Sequence, residues 1–288
     1  MAAVVVNHNG GAALLSCVES LRSARIEEIV VVDNASTDGS LAALAAHDAT
    51  ARLLPTGRNL GYGRAANDGA GLTSAALLLI CNADVRVEPD TVRALRAVLV
   101  PRPDLAIVGP RLVSPDGVPY PSARAFPSFT TAAGHAVVGL FHPDNPWTRR
   151  YRMAEGSNLF EGLRAEEDVD WVSGACFLAR REAFDSVGGF DERYFMYVED
   201  LDLCWRLRRA GWAVRFVPGA RVVHDQGSST RRHPWRMLAA HHRSTWQFAE
   251  TSLTGAERMM LPAIAAGLAA RYALAVAREW SRRLGGVD

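Results

Sequence analysis

Ile29-Val30-Val31-Val32-Asp33-Asn34-Ala35-Ser36-Thr37-Asp38 joins a β-branched run to a polar loop, and its reading decides the fold. Four apolar residues without alternation belong to a strand covered on both faces, as in a parallel sheet. Ala3–Val6 repeats that pattern upstream, and Leu14, Leu15, Val18 and Leu21 recur between the two at helical spacing. Downstream, Asp38 or Ser40 is placed to cap a helix through Leu44, and Arg52–Leu54 reads as a short strand. Arg64–Leu72 reads as a helix and Ala76–Ile80 as another buried strand; Pro89 suits the first turn of a helix ending at Leu99. This order predicts an α/β fold: a Rossmann-like, mostly parallel central sheet flanked by helices, with ligands at the carboxyl ends of its strands.

Beyond residue 100 the texture changes. Ser114-Pro115-Asp116-Gly117 is a turn, Val169–Ala179 is strand-like, and Gly188-Gly189 turns again. A helix is expected over Glu199–Arg209, stopped by Gly211, then two short strands, Ala213–Val217 and Arg221–His224. The remainder is helical and Arg-rich.

The 288 residues, 49% hydrophobic and 22% charged, suit one large α/β domain or two small ones and exclude general disorder. The net charge of +1 hides a polarity, because residues 1–200 carry 18 arginines against 25 acids and residues 201–288 carry 14 against 6. There is no lysine. Met1 runs directly into Ala2–Val6, so no signal peptide is expected. Cys17, Cys81, Cys176 and Cys204 form no C-x-x-C pair and read as buried free thiols of a reducing cytoplasm. The uncharged run Met259–Ala270, closed by Arg271, is shorter than the roughly 20 residues a bilayer requires, which predicts a soluble or peripheral protein.

Several polar groups stand where chemistry would be placed. Gly61-Tyr62-Gly63-Arg64-Ala65-Ala66 fits G-x-G-x-x-A, but it follows Arg58-Asn59-Leu60 rather than a buried strand, so a dinucleotide site is not expected. The glycines still mark a close approach of backbone to something. Asp33 can accept a hydrogen bond from the N3–H of a uracil or thymine ring, or can cap the next helix. Asp84, closing Asn82-Ala83-Asp84 at a strand end, is placed to bind a hard divalent ion carrying a diphosphate. In Met196-Tyr197-Val198-Glu199-Asp200-Leu201-Asp202, three acids meet a helix start whose dipole favours them. Asp202 is expected to pair with Arg206, whereas Glu199 and Asp200 have no local partner and one could be a general base. His224 ends a strand, where neutral imidazole can complete a divalent site.

Five blocks in order carry a resemblance: V-V-V-N-H-N, V-V-D-N-A-S-T-D-G-S, R-N-L-G-Y-G-R-A-A-N, C-N-A-D-V and G-G-F-D-E-R-Y-F-M-Y-V-E-D-L-D-L-C-W-R-L-R-R-A-G-W. Over roughly residues 3 to 250 the chain resembles family 2 glycosyltransferases of the GT-A fold. The resemblance implies a GT-A domain over 1–232, with a nucleotide-binding half to residue 100 and an acceptor and catalytic half after it. A helical, basic region over 233–288 would follow, placed to meet a membrane surface. It further implies Asp200 as catalytic base with Glu199 in reserve, and Mg²⁺ or Mn²⁺ on Asp84 and His224. Asn7, Asp33, Arg58, Asn59, Asn67, Asn82 and Asp84 would line the donor pocket, and Trp171, Ser173, Gly174 and Arg231 the acceptor side. Where the family's metal triplet begins with Asp, this chain has Asn82, which removes one carboxylate.

The stretches Arg52–Gly57, Tyr120–Arg124, Asn145–Thr148 and Ala239–Thr245 resemble an actinobacterial branch of that family. Its members transfer L-rhamnose from dTDP-L-rhamnose to a polyprenyl-diphosphate-linked N-acetylglucosamine in cell-wall linker synthesis. The implied location is cytoplasmic, peripheral on the inner face of the plasma membrane, with no nucleic-acid partner; homo-oligomerisation stays open. Arg231 and Arg232 are candidates for a phosphate, and Arg149 and Arg150 for solvated surface. Rival readings are a family 2 enzyme with another sugar or a soluble acceptor, a nucleotidyltransferase, and a non-catalytic nucleotide-sugar binding protein. Asn7-His8-Asn9-Gly10-Gly11 lacks the basic turn a nucleotidyltransferase wants, and a mere binder leaves Glu199 and Asp200 unexplained.

Overall fold

The computed structural model describes residues 1–126, 166–225 and 234–284. Its elements run β1 (Ala2–Asn7), α1 (Ala12–Ser23), β2 (Glu28–Asp33), α2 (Ser40–His47), β3 (Arg52–Pro55), α3 (Tyr62–Gly71), β4 (Leu77–Asn82), β5 (Val85–Val87), α4 (Thr91–Leu99) and β6 (Leu105–Val113). There follow β7 (Ala123–Arg124), β8 (Glu167–Asp168), β9 (Trp171–Val172), β10 (Cys176–Arg180), α5 (Arg181–Ser186), α6 (Glu199–Arg209), β11 (Ala213–His224), α7 (Pro234–Ser252), a 3₁₀ turn (Gly255–Met260) and α8 (Leu261–Leu284).

The unbroken β-branched runs do what double burial requires. Ala3, Val5 and Val31 point into one core with Leu14, Leu21, Leu44, Leu95 and Leu99 from α1, α2 and α4. Val4, Val6, Val30 and Val32 point into the other, with Ala65, Ala66 and Ala70 of α3 and Leu203, Cys204 and Leu207 of α6. Each fully buried aliphatic side chain contributes about 1.5–3 kcal/mol. One sheet of nine strands, ordered β3-β2-β1-β4-β10-β6-β11-β5 with β8 on β11, lies between these layers. Strands β1 to β4 are mutually parallel, as expected from the alternation of strand and helix. Strand β10 then inserts antiparallel between β4 and β6, pairing Cys176 with Cys81 and Leu178 with Val108. A separate ribbon pairs β7 with β9, Arg124 opposite Trp171.

Local expectations were met with adjustments. The N-cap of α2 is Gly39 at φ +79°, and Asp38 instead accepts the Ser40 N–H and hydroxyl at 3.0 and 2.6 Å. Asp90 occupies the cap of α4, so Pro89 precedes the helix. The two strands expected after α6 are one, β11, whose register against β6 shifts between Val217 and Arg221, across Pro218-Gly219. The four cysteines are buried and unpaired.

Two compact units divide the chain, Met1–Phe126 with Gly156–Arg232 and Pro127–Glu155 with His233–Asp288. In the second, Ala249 and Leu253 of α7 meet Ile264 of α8, flanked by Trp246, Leu261 and Leu268. Gly255–Val276 is, among the described residues, a 22-residue stretch long and apolar enough to cross a membrane by length and composition. That corrects the shorter limit read from the sequence: the helix continues through Arg271 into Tyr272–Val276, so that charge does not end the apolar run. Asn145–Thr148, Arg149, Arg150, Arg231 and Arg232 lie outside the described residues.

The glycine-rich stretch approaches protein rather than a cofactor. A Cβ on Gly61, at φ +87°, would lie 2.3 Å from the Phe195 carbonyl oxygen, and one on Gly63 would lie 2.8 Å from the Phe190 Cβ. Gly61→Ala should therefore lower stability by about 1–3 kcal/mol through overpacking and strain. Gly117→Ala, at φ +80° with only an Arg221 side-chain tip at 3.5 Å, should lose about 1 kcal/mol. Urea midpoints of the two variants test the difference, and equal losses would place the whole effect in the backbone angle.

Candidate active site

The carboxyl ends of β1 and β2 sit side by side, Asn7 opposite Asp33. Asn7 is 0% exposed. Its Nδ2 donates to Asp33 Oδ1 at 2.8 Å and reaches the Ser36 and Ser40 hydroxyls at 3.1 and 3.0 Å, while its Oδ1 accepts the Gly10 N–H at 3.2 Å. Asp33, 5% exposed, also accepts the Ser36 N–H at 3.1 Å, so both its oxygens are aimed by fixed donors. Next to it Asn34 donates to Asn59 Oδ1 at 3.0 Å and the Gly61 carbonyl at 3.1 Å, and accepts the Leu60 N–H at 2.7 Å. That amide ties the β2 loop to the loop holding Asn59 and the exposed Arg58. Asn67 is drawn into the fold, donating to the Phe190 carbonyl at 2.8 Å and accepting its N–H at 2.9 Å.

A second group forms where β4 and β11 end. His224 pairs with Val85 across the β5–β11 ladder, and the Asp225 N–H donates to the Asp84 carbonyl at 3.1 Å. This brings His224 Nε2 to 3.1 Å from Asp84 Oδ1 and 3.3 Å from Asn82 Nδ2. The Tyr120 hydroxyl bonds His224 Nδ1, which fixes the ring with Nε2 toward Asp84. One carboxylate and one imidazole fit Mg²⁺ or Mn²⁺ when diphosphate oxygens and water complete the shell. No group of three His, Cys, Asp or Glu gathers among the described residues, so a diphosphate would have to supply much of the coordination.

The third group opens α6. Tyr197 and Val198 both hold left-handed backbone, φ 67° and 69°, which is strained for a β-branched residue. Asp200 follows, its Oδ2 accepting the Gly174 N–H at 2.7 Å and its Oδ1 the Leu201 N–H at 2.8 Å. Burial raises its pKa, opposed by those N–H groups and by the Arg124 charge. Glu199 is 8% exposed, and its Oε2 has no hydrogen-bond partner. Burial, then the neighbouring Asp200 charge, pushes its pKa up to about 8. Neutral Glu199 beside an N–H-held Asp200 separates the roles: Asp200 is the better-aimed proton acceptor. Asp202 forms its expected ion pair with Arg206 at 2.7 Å.

Beside the β7–β9 ribbon, the Ser173 N–H donates to the Ser122 carbonyl at 2.8 Å, and the Trp171 Nε1–H to the Ala125 carbonyl at 3.2 Å. Gly174 faces inward at both polar groups, its N–H on Asp200 and its carbonyl accepting the Tyr62 hydroxyl at 2.5 Å. Its backbone N–H thus holds the Asp200 carboxylate in place. Asn34, Tyr62, Tyr120 and Arg124 escaped the residue-by-residue reading, although each lies inside a quoted block; their partners are far away in sequence.

Residues 2–188 match the family described as Glycosyl transferase family 2. The chain is 44% identical over 241 residues to the N-acetylglucosaminyl-diphospho-decaprenol L-rhamnosyltransferase of Mycobacterium tuberculosis, covering 80% of this chain and 76% of that protein. Over 88 residues it is 36% identical to the rhamnosyltransferase WbbL of Escherichia coli, 31% of this chain and 33% of that protein. The fold is GT-A. GalNAc-T7 with UDP, GalNAc and Mn²⁺ superposes at TM-score 0.58 with 18% identity, over 79% of this chain and 43% of that one. A mannosyltransferase from Pyrobaculum calidifontis with GDP-Man and Mn²⁺ gives 0.56 and 17%, over 98% and 80%.

The Glu199 carboxyl has a consequence for stability. Between its ordinary 4.5 and about 8, the folded protein holds a proton that the unfolded chain has released, so this contribution weakens as pH rises through that window. Glu199→Gln removes the dependence. Its melting temperature relative to wild type should rise from about pH 5.5 to about pH 9. A constant difference across that range would show that Glu199 titrates as an ordinary carboxylate.

Proposed function

The chain belongs to glycosyl transferase family 2, and we propose that this glycosyltransferase moves L-rhamnose from dTDP-L-rhamnose to N-acetylglucosaminyl-diphospho-polyprenol, with inversion, in cell-wall linker synthesis. The observation that carries the reading is the placement of three polar groups at one sheet edge. Asp33 is opposite Asn7, and Asn82 beside Val6, so base-binding and diphosphate-binding ends stand two strand spacings apart, roughly 10 Å. Similarity to the mycobacterial rhamnosyltransferase supports the choice of sugar and acceptor.

In the proposed reaction Asp33 accepts a hydrogen bond from the N3–H of the thymine ring, and Asn34 and Asn59 hold the surrounding loops in place. Asp84 and His224 would hold Mg²⁺ or Mn²⁺, which when bound offsets charge on the departing dTDP. Asp200 takes the proton of the acceptor hydroxyl as its oxygen bonds to the anomeric carbon and the bond to the diphosphate breaks. The two N–H groups on Asp200 keep one geometry throughout, which reduces the reorganisation required.

A lipid-linked acceptor requires the enzyme to work at a membrane, and Gly255–Val276 supplies a surface for it. Met259, Tyr272 and Leu274 are exposed there with Arg258 and Arg271, apolar and cationic together. The location this supports is cytoplasmic, peripheral on the inner leaflet.

Incubation with a panel of dTDP- and UDP-sugars, Mg²⁺ or Mn²⁺, and a short-chain N-acetylglucosaminyl-diphospho-prenol should yield product mass from dTDP-L-rhamnose. Transfer from another donor alone overturns the sugar assignment. Asp200→Asn should lose transfer by about 10²–10⁴-fold while titrating donor with wild-type affinity; near wild-type turnover removes Asp200 as base. Anionic liposomes should carry the protein upward in flotation at low salt, and less of it at high salt. Failure to float at low salt rejects membrane attachment.

A further inference from the structure

Arg124 is a half-buried cation with no ion-pair or hydrogen-bond partner among the described residues, close enough to Asp200 for its charge to act on that carboxylate. Other half-buried arginines are occupied: Arg22 by Asp48, Arg206 by Asp202 and Arg215 by Asp168, while Arg180 and Arg181 hold backbone carbonyls. The carboxylates of this corner are engaged elsewhere. Asp170 accepts from Arg208 and from the Phe126 N–H, and Asp200 holds the Gly174 and Leu201 N–H groups. The Arg124 guanidinium instead lies over the Trp171 ring, 5.1 Å from its centroid.

The position is built. Arg124 and Trp171 are directly opposed in the β7–β9 ribbon, so both side chains leave the same face. The ribbon continues through the Ser173 N–H to the Ser122 carbonyl, and the Trp171 indole is pinned to the Ala125 carbonyl. The cation–π contact holds the guanidinium at the indole face and spends none of its N–H donors on a carboxylate, and arginine can take phosphate with two parallel bonds. From Trp171 three residues lead to Gly174, which holds Asp200, a span of at most roughly 10 Å. That is the scale of one pyranose ring with its anomeric phosphate.

We propose that Arg124, held by Trp171, binds the diphosphate of a polyprenyl-diphosphate-linked sugar acceptor, placing the acceptor hydroxyl at Asp200. The subsite rests on the lipid-linked acceptor proposed above. It gives the acceptor's phosphates a cation of their own, separate from the Asp84–His224 pair that serves the donor. It also makes the diphosphate a specificity element: a sugar lacking it forgoes the arginine.

The test compares two acceptors at saturating donor, a short-chain N-acetylglucosaminyl-diphospho-prenol and octyl N-acetylglucosaminide, which carries no phosphate. Arg124→Ala should raise KM for the diphospho-prenol about 10- to 100-fold, the worth of a charged hydrogen bond, leaving the donor KM near wild type. Any effect through the Asp200 carboxylate should be common to both acceptors, so the KM rise should be confined to the diphospho-prenol, and Arg124→Lys should recover part of it. Equal losses on both acceptors, or a fall in kcat with unchanged KM and a displaced pH profile, would assign Arg124 to Asp200 instead and overturn the subsite. A wild type that uses the diphospho-prenol while Arg124→Ala matches it defeats the subsite alone. A wild type unable to use any prenyl diphosphate defeats the functional reading and the subsite with it.

Discussion

The amide of Asn7 is the constraint on which the donor end of the molecule depends. A side chain of 0% exposure at a strand end must find partners for every polar atom, and each one left unmade costs about 1–3 kcal/mol. Asn7 meets this by drawing Asp33, Ser36, Ser40 and the Gly10 N–H onto itself. The loop after β1, the loop after β2 and the start of α2 are thereby fixed to one point. Gly10 is part of the same constraint, because a Cβ there would lie 2.5 Å from Asn7 Oδ1. Asp33 is consequently aimed before any ligand arrives, so the nucleotide base proposed to bind it would meet a carboxylate that needs no reordering.

The rest of the site is a solution to crowding acids where anions must bind. Asp33 is held by an amide and an N–H, Asp200 by two backbone N–H groups, and Asp84 by proximity to an imidazole. Glu199 has no such help, and its carboxyl is held neutral by burial. Asp84 and Asp200 are the two positions proposed to meet a cation and a proton. The net charge of +1 conceals this because the arginine excess of residues 201–288 is separated along the chain from the acids of the sheet.

What could be read in advance follows from which forces are local. The β-branched runs of β1, β2 and β4 and the helical spacing of α1 carry their own burial signal, and α6 begins and ends where its acids and Gly211 place it. The antiparallel insertion of β10 carries none, since Cys176–Arg180 looks like any short apolar strand and its place between β4 and β6 is a tertiary choice. Asp84 and His224 could be named separately, but their meeting is made by the β5–β11 ladder, and β5 is three residues long. Tyr62, Tyr120 and Arg124 act through partners about 50 to 110 residues away, beyond any periodicity. The apolar length of the last helix exceeds its uncharged run because a helix carries Arg271 on its surface without stopping.

The stretch from Gly61 to Asn67 shows how a misleading motif resolves into a mechanical part. Its glycines have the spacing of a nucleotide loop, yet a Cβ on Gly61 or Gly63 would meet the segment that leads into α6. Gly61 lies against Phe195, the Tyr62 N–H donates to the Phe195 carbonyl at 3.1 Å, Gly63 lies against Phe190, and Asn67 clasps the Phe190 backbone from both sides. Tyr62 reaches further, to the Gly174 carbonyl, so one short helix start touches both segments that place Asp200. Two consecutive left-handed residues at Tyr197 and Val198 cost of the order of 1–3 kcal/mol each. Such a conformation persists only where its surroundings over-determine it, and these contacts are the over-determination. Close packing at the glycines therefore maintains the strained backbone that carries Asp200, the proposed base, so bulk there would act through Asp200 rather than through a lost ligand contact.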